Sequence, residues 1–194
     1  MTSSFFTLAN AIRATILFGL FIILLVLVQS CQVPKTGLER FAVDSLRKLQ
    51  VREAPPPLPN PVFTSADGEE LILSDLKGKV IVLNIWATWC PPCVKEMPSL
   101  DRLQALRGGE TFEVITISLD RTKYEPAKFF ADNGIENLVP YHDGSFGVPG
   151  QLRLYGYPST LIYNADGREI ALLQGEAEWD SDEALALVDY LLDQ

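Results

Sequence analysis

The stretch Val80-Ile81-Val82-Leu83-Asn84-Ile85-Trp86-Ala87-Thr88-Trp89-Cys90-Pro91-Pro92-Cys93 decides how this chain is read. Its first six residues form a run suited to a short buried strand. After the cysteines, Val94, Met97, Leu100 and Leu103 recur at helical spacing. Two cysteines three apart, at the start of a helix fed by a strand, are the sequence form of a thiol–disulfide redox centre. A helix start carries unpaired N–H groups and a partial positive charge, and both favour a thiolate over a thiol. Cys90 at that end is expected to attack a disulfide of a partner, and Cys93, one turn along, to resolve the mixed disulfide.

Two other uses of a cysteine pair fit less well. A structural zinc site needs about four ligands, and the whole chain has three cysteines and one histidine. A purely structural crosslink between positions three apart closes a tiny loop and constrains the unfolded chain little. Use of Cys90 and Cys93 as soft Cu(I) ligands in a metal-handling chaperone is the alternative of a different class. His142, the lone histidine, sits at the end of a short strand with no such context. No metal site is therefore expected, and the only redox group expected is the Cys90–Cys93 disulfide itself.

Working outward, the N-terminus holds Ala14 to Val28, 15 uncharged and almost wholly apolar residues after Arg13. A membrane-spanning helix usually needs about 20 such residues. Residues 1–31 therefore read as a retained signal anchor, as a lipoprotein-type signal ending at Cys31, or as a cleaved signal peptide. The first two attach the protein to a membrane. Basic residues cluster after the run (Lys35, Arg40, Arg47, Lys48), which by itself points the domain inward.

Residues 32–61 read as a juxtamembrane segment. Leu38, Phe41, Ala42, Ser45, Leu46 and Leu49 recur at helical spacing, predicting an amphipathic helix from Gly37 to about Val51 that lies on lipid or packs on the domain. Ala54-Pro55-Pro56-Pro57-Leu58-Pro59-Asn60-Pro61 reads as an extended, semi-rigid spacer. The net charge is −9, and from Ala54 onward there are 10 basic and 22 acidic residues. A domain that acidic repels nucleic acid.

From 62 to 194 the pattern is that of one α/β domain. A hairpin around Ala66-Asp67-Gly68 comes first, then the strand at 80–85, the cysteine helix to about Arg107 and a strand at 114–119. A helix over Pro126 to about Asn133 and a short extended segment at 138–141 follow. The hairpin 160–163/168–173 turns at Asn164-Ala165-Asp166-Gly167, and a final helix starts after Asp180, expected to be capped by it with Glu183 reaching back.

That order resembles the thioredoxin fold, with an N-terminal hairpin extension and a central insert, preceded by a membrane-anchor helix and linker. More narrowly, Leu73-Ser74-Asp75-Leu76-Lys77-Gly78-Lys79-Val80 leading into Leu83 to Cys93, and then Lys95-Glu96-Met97-Pro98, resembles the TlpA/ResA family of membrane-tethered thiol–disulfide oxidoreductases. The tail Gly167 to Ile170 and Gly175 to Trp179 is similar to TlpA-type members. The resemblance implies that Glu96 tunes the thiols and shuttles protons to them. It implies that Pro158 is a cis-proline facing the cysteines, leaving the Tyr157 backbone free to pair with a client peptide. Trp89 is expected on the apolar rim where clients dock, with Trp86 in the core, and Pro98 is expected to kink the cysteine helix. Further implications are a domain on the periplasmic side of a bacterial inner membrane, a transmembrane thiol donor, and disulfide-containing clients in cytochrome c maturation or oxidase copper-site assembly. Oxidase or isomerase action by the same pair stays open.

Overall fold

A computed structural model of the chain describes residues 13–24 and 37–194, which fall in two units divided between Thr36 and Gly37. In the first unit residues 13–24 are helical (α1), with Leu17, Phe18 and Phe21 among the exposed apolar side chains. Among the described residues no helix is long and apolar enough to cross a membrane. The expected anchor extends past this helix, and the end of the Ala14–Val28 run and Cys31 lie outside the described residues.

The second unit is built on one eight-stranded mixed sheet. Its strands are β1 (Gln50–Val51), β2 (Val62–Thr64), β3 (Glu70–Ile72), β4 (Val80–Trp86), β5 (Phe112–Ser118), β6 (Pro140–His142), β7 (Ser159–Tyr163) and β8 (Glu169–Gln174). The spatial order is β1-β8-β7-β4-β5-β6-β2-β3. β4, β5 and β6 run parallel, and β7 runs antiparallel to β4. All seven residues of β4 are buried, which is why it reads as a continuous apolar run rather than an alternating one. The helices are α2 (Pro91–Arg107), α3 (Tyr124–Asn133), α4 (Gly147–Leu152) and α5 (Asp182–Leu192). Trp86 is in the core as expected, stacked on Phe130 of α3 at 5.6 Å.

The segment 37–61 departs from the sequence reading. Instead of one helix it forms two 3-10 turns, Leu38–Phe41 and Asp44–Leu46, followed by β1. Asp44 takes a positive φ of 45°, which interrupts any α-helix at that point. The backbone groups then bond elsewhere: Ser45 donates through both its N–H and its hydroxyl to Glu183 Oε1 of α5. Phe41, Leu46 and Leu49 are buried in the domain core, so the apolar spacing marks a face packed on the domain, not on lipid. Phe41 meets Tyr190 of α5 with ring centres 5.6 Å apart.

The proline run is likewise bound to the domain and is no free spacer. Glu169 N–H donates to Pro56 O, Leu58 N–H donates to Gly167 O, and Leu58 is buried. Prolines lack an N–H but keep their carbonyls, so an extended proline strip still pairs with the β7–β8 hairpin. The compact domain therefore starts at Gly37, earlier than the boundary at 62 expected from composition.

Two local features differ from the sequence reading. α4 is a helix of Gly-Val-Pro-Gly-Gln-Leu, a composition that reads as a loop. The buried Asp143 carboxylate organises its start, accepting from Val148 N–H and from Ser145 N–H and Oγ. At the last helix the cap is Ser181, whose hydroxyl accepts from Ala184 N–H. Asp180 instead pairs with Arg102, and Glu183 is held by Ser45.

Candidate active site

Strand β4 ends at Trp86 and the chain reaches α2 four residues later, with Cys90 as the N-cap and Pro91 as the first helical residue. Proline suits that place because the N–H it lacks would have no helical partner. Cys90 and Cys93 are joined by a disulfide with an S–S distance of 2.12 Å and Cα atoms 5.3 Å apart. Cys90 is the accessible member at 6% exposure, whereas Cys93 is fully buried.

Beside the disulfide, Trp89 is 58% exposed, a rare state for a large aromatic side chain in a packed domain. Its ring meets Tyr157 edge to face at 6.3 Å. The Tyr157–Pro158 peptide bond is cis. Pro158 O accepts from the N–H of Gly175, whose φ of 98° lets the chain turn out of β8 at that point. The structure thus brings Trp89 and Tyr157 into contact next to the cysteine pair.

Glu96 lies three residues beyond Cys93 on α2, about 4.5 Å further along the helix axis. It is 2% exposed. Its Oε1 accepts from Asn84 Nδ2 at 2.8 Å, and its Oε2 accepts from Ala177 N–H at 3.1 Å and Trp179 Nε1 at 3.2 Å. Burial raises its pKa to about 7; the three donors pull it back down, and the nearby Glu176 charge adds to the rise. A carboxyl that titrates near neutrality suits a group that takes up and releases protons at working pH.

Three residues around the site go unmarked in the sequence reading. Asn84 is the lone polar side chain in the run that becomes β4, and that isolation is the signal that marks it. Trp179 is buried, with its indole on Glu96 and its backbone N–H on Ser99 Oγ. Asp120 is buried after β5 and accepts from Thr88 N–H, Thr88 Oγ1 and Ser118 Oγ, so it anchors the loop that carries Trp89 and Cys90. His142, at the end of β6, is engaged by its Nε2 with Asp120 O at 2.8 Å. Asp120→Ala would strand the Thr88 N–H and hydroxyl and is expected to lower stability by about 1–3 kcal/mol. A urea midpoint unchanged from the parent chain would show that this loop does not depend on the contact.

Pro98 lies within α2, which continues through it to Arg107. Among the described residues no group of three or more histidine, cysteine or acidic side chains is placed to hold a metal ion.

Comparison with known proteins agrees with this geometry. The redoxin family profile matches residues 54–188. The chain is 32% identical over 158 residues to the thiol-disulfide oxidoreductase ResA of Bacillus thuringiensis (strain Al Hakam), covering 81% of this chain and 88% of that protein. It is 29% identical over 133 residues to the thioredoxin-like protein YneN of Bacillus subtilis (strain 168), covering 68% of this chain and 77% of that one. A putative thiol:disulfide interchange protein DsbE from Chlorobium tepidum shares the fold with a TM-score of 0.64 at 23% identity, over 72% of this chain and 98% of that one. A secreted thiol-disulfide isomerase from Corynebacterium glutamicum aligns with a TM-score of 0.60 at 25% identity, over 73% and 92% of the two chains.

Proposed function

Since the chain belongs to the redoxin family and is a thiol–disulfide oxidoreductase of the ResA type, we propose that it works as a reductase of client disulfides outside the cytoplasm. The observation that carries the direction is the pair Pro91-Pro92 at the first two helical positions of α2. In most helices those positions supply N–H groups that stabilise a thiolate at the N-cap. Here neither residue has one, and Val94 N–H is already used by Cys90 O, which leaves the Cys93 N–H at the third position as the one backbone donor of the first turn for the Cys90 sulfur. A less stabilised thiolate makes the dithiol form relatively costly and the pair a better electron donor; strong oxidants have the opposite bias.

In the proposed cycle the Cys90 thiolate attacks one sulfur of a client disulfide. A Cys90–client bond forms and the other client sulfur leaves as a thiolate. Cys93, giving its proton to Glu96, then attacks Cys90 Sγ. The Cys90–Cys93 bond forms, the second client thiolate leaves, and two electrons have passed to the client. The pair itself is the electron carrier. A transmembrane thiol donor restores the dithiol, and residues 1–31 anchor the domain to a bacterial inner membrane with the site facing the periplasm. Proteins of cytochrome c maturation or of oxidase copper-site assembly are the clients in this reading, which rests on the ResA likeness. Trp89, Tyr157 and Pro158 form the docking face.

Equilibration with a graded thiol–disulfide buffer tests the direction. The expected potential is close to that of thioredoxin, about −270 mV, and a value near about −120 mV would make the protein an oxidase instead. On the docking face, Trp89→Ala is expected to raise the KM for a protein disulfide about tenfold, the effect of losing an exposed aromatic anchor worth a little over 1 kcal/mol. A fall in kcat alone would assign Trp89 elsewhere.

A further inference from the structure

Asn84 stands out among the buried polar groups because only half of its amide is used. Its Nδ2 donates to Glu96 Oε1 at 2.8 Å and to Thr160 Oγ1 at 2.9 Å. Its Oδ1 is buried and meets no hydrogen-bond donor among the described residues. A buried polar atom left unpaired is costly and calls for a reason.

The partners of Glu96 supply one. Oε2 faces two fixed donors, Ala177 N–H and the Trp179 indole, neither of which can accept a proton. A proton arriving on Glu96 must therefore sit on Oε1, which faces Asn84. One lone pair of Oε1 already accepts from Asn84, so an O–H on that side would meet an N–H of the amide, and the two donors would oppose each other. Turning the amide over about its last side-chain bond resolves the conflict. Oδ1 then accepts from the Glu96 O–H and from the Thr160 hydroxyl, with the amide plane kept in place.

We propose that Asn84 is a positioning residue that turns over with the protonation of Glu96, donating to the carboxylate and accepting from the carboxylic acid. The proposal rests on the reading of Glu96 as the proton-handling group of the site. The only bond made is the Oε1–H bond; the proton comes from the Cys93 thiol in the cycle and from solvent in the oxidised chain. A cavity of about 210 Å³ reaches Glu96 between the 3-10 segment and the turn after β8, lined by Ser45, Arg47, Lys48, Lys95, Glu176 and Glu178. These are also the charged groups that face Glu96: Lys95 from its own helix, paired with Glu176 at 2.7 Å, Glu178 beside them, and Arg47 and Lys48 across the cavity. β4 and β7 contribute only the neutral Asn84 and Thr160.

The exchange is lopsided. In the turned state both Nδ2 protons lie where Oδ1 now sits without a partner, so the neutral form leaves more polar atoms unpaired than the ionised one. Asn84 therefore opposes protonation while accommodating it. Thr160, two residues after Pro158, changes from acceptor to donor in the same event. The proton state of Glu96 is in this way carried to the strand that follows the cis-proline.

The test is an NMR titration of the oxidised full-length chain, following the Glu96 carboxyl carbon and the Asn84 side-chain amide. Both are expected to move with one shared midpoint, near pH 7. In Glu96→Gln the Asn84 signals are expected to stay still over the same range. Asn84→Leu is expected to raise the Glu96 midpoint by about one unit or more, since a donor to a charged group is lost. Should that variant fail to fold, the titration of the parent chain decides alone. If Glu96 titrates while the Asn84 amide does not respond, the turning amide is wrong and the acid–base reading of Glu96 survives. If Glu96 does not titrate across neutral pH, both fall.

Discussion

Cys93→Ser is expected to turn the protein into a trap. Cys90 still attacks a client disulfide, but no second thiol remains three residues away to release the client, so the Cys90–client bond persists and turnover ends. Cys90→Ser is expected to lose protein-disulfide reductase activity by more than about 10³-fold, the order seen when a covalent nucleophile is removed, and to trap nothing. The asymmetry follows from access: Cys90 keeps a solvent-facing edge at the start of α2, whereas Cys93 is enclosed. Non-reducing electrophoresis of cells expressing each variant, with mass spectrometry of any adduct, checks both outcomes and identifies the client. Equal trapping by the two variants would mean that either sulfur can initiate, and Cys90 would lose its place as the attacking thiol. Retained turnover in Cys93→Ser would remove the resolving role altogether.

From Val62 onward the element order, α4 apart, is legible because each pattern has a local cause. β4 is enclosed on both faces and so shows an unbroken apolar run, and the β7–β8 turn carries Asn164 to Gly167. Segment 37–61 misleads for an equally physical reason. Helical spacing records which side chains face a surface, and two 3-10 turns with a kink at Asp44 present Phe41 and Leu46 to the core nearly as a helix would. The helix is interrupted at Asp44, and Ser45 bonds instead to Glu183, a residue 138 positions away. The same limit applies at the site. Cys90 and Cys93 are neighbours in sequence and announce themselves. The environment of Glu96 is assembled from Asn84 on one strand and from Trp179 in a turn 83 residues beyond Glu96. No local pattern encodes that meeting. Asn84 alone leaves a trace, as a polar residue in an apolar run.

Glu96→Gln is expected to stabilise the protein above neutral pH and to erase most of the pH dependence of stability between pH 4.5 and about 7. The sign follows from which state holds the proton. In the unfolded chain Glu96 ionises at its ordinary value of 4.5, and in the native state burial defers that to about 7. Between those values the native state binds more protons than the unfolded one, so stability falls as pH rises. The contribution is fully present below pH 4.5 and is lost as pH climbs through about 7. At about 1.36 kcal/mol for each unit, the shift corresponds to about 3 kcal/mol. The glutamine side chain does not ionise, and its carbonyl oxygen can still accept from Ala177 N–H and Trp179 Nε1. Its amide nitrogen meets Asn84 as a protonated carboxyl would, so the variant holds the site in its neutral arrangement at every pH. Urea midpoints measured from about pH 5 to about pH 8 should therefore diverge, with the variant ahead at the alkaline end and the two chains close at the acid end. Disulfide exchange by the variant should also lose its inflection near neutral pH while keeping its cysteine pair. Parallel stability curves for the two chains would place the titrating group elsewhere and would leave the buried carboxylate as a structural anchor for Trp179 and the turn before α5.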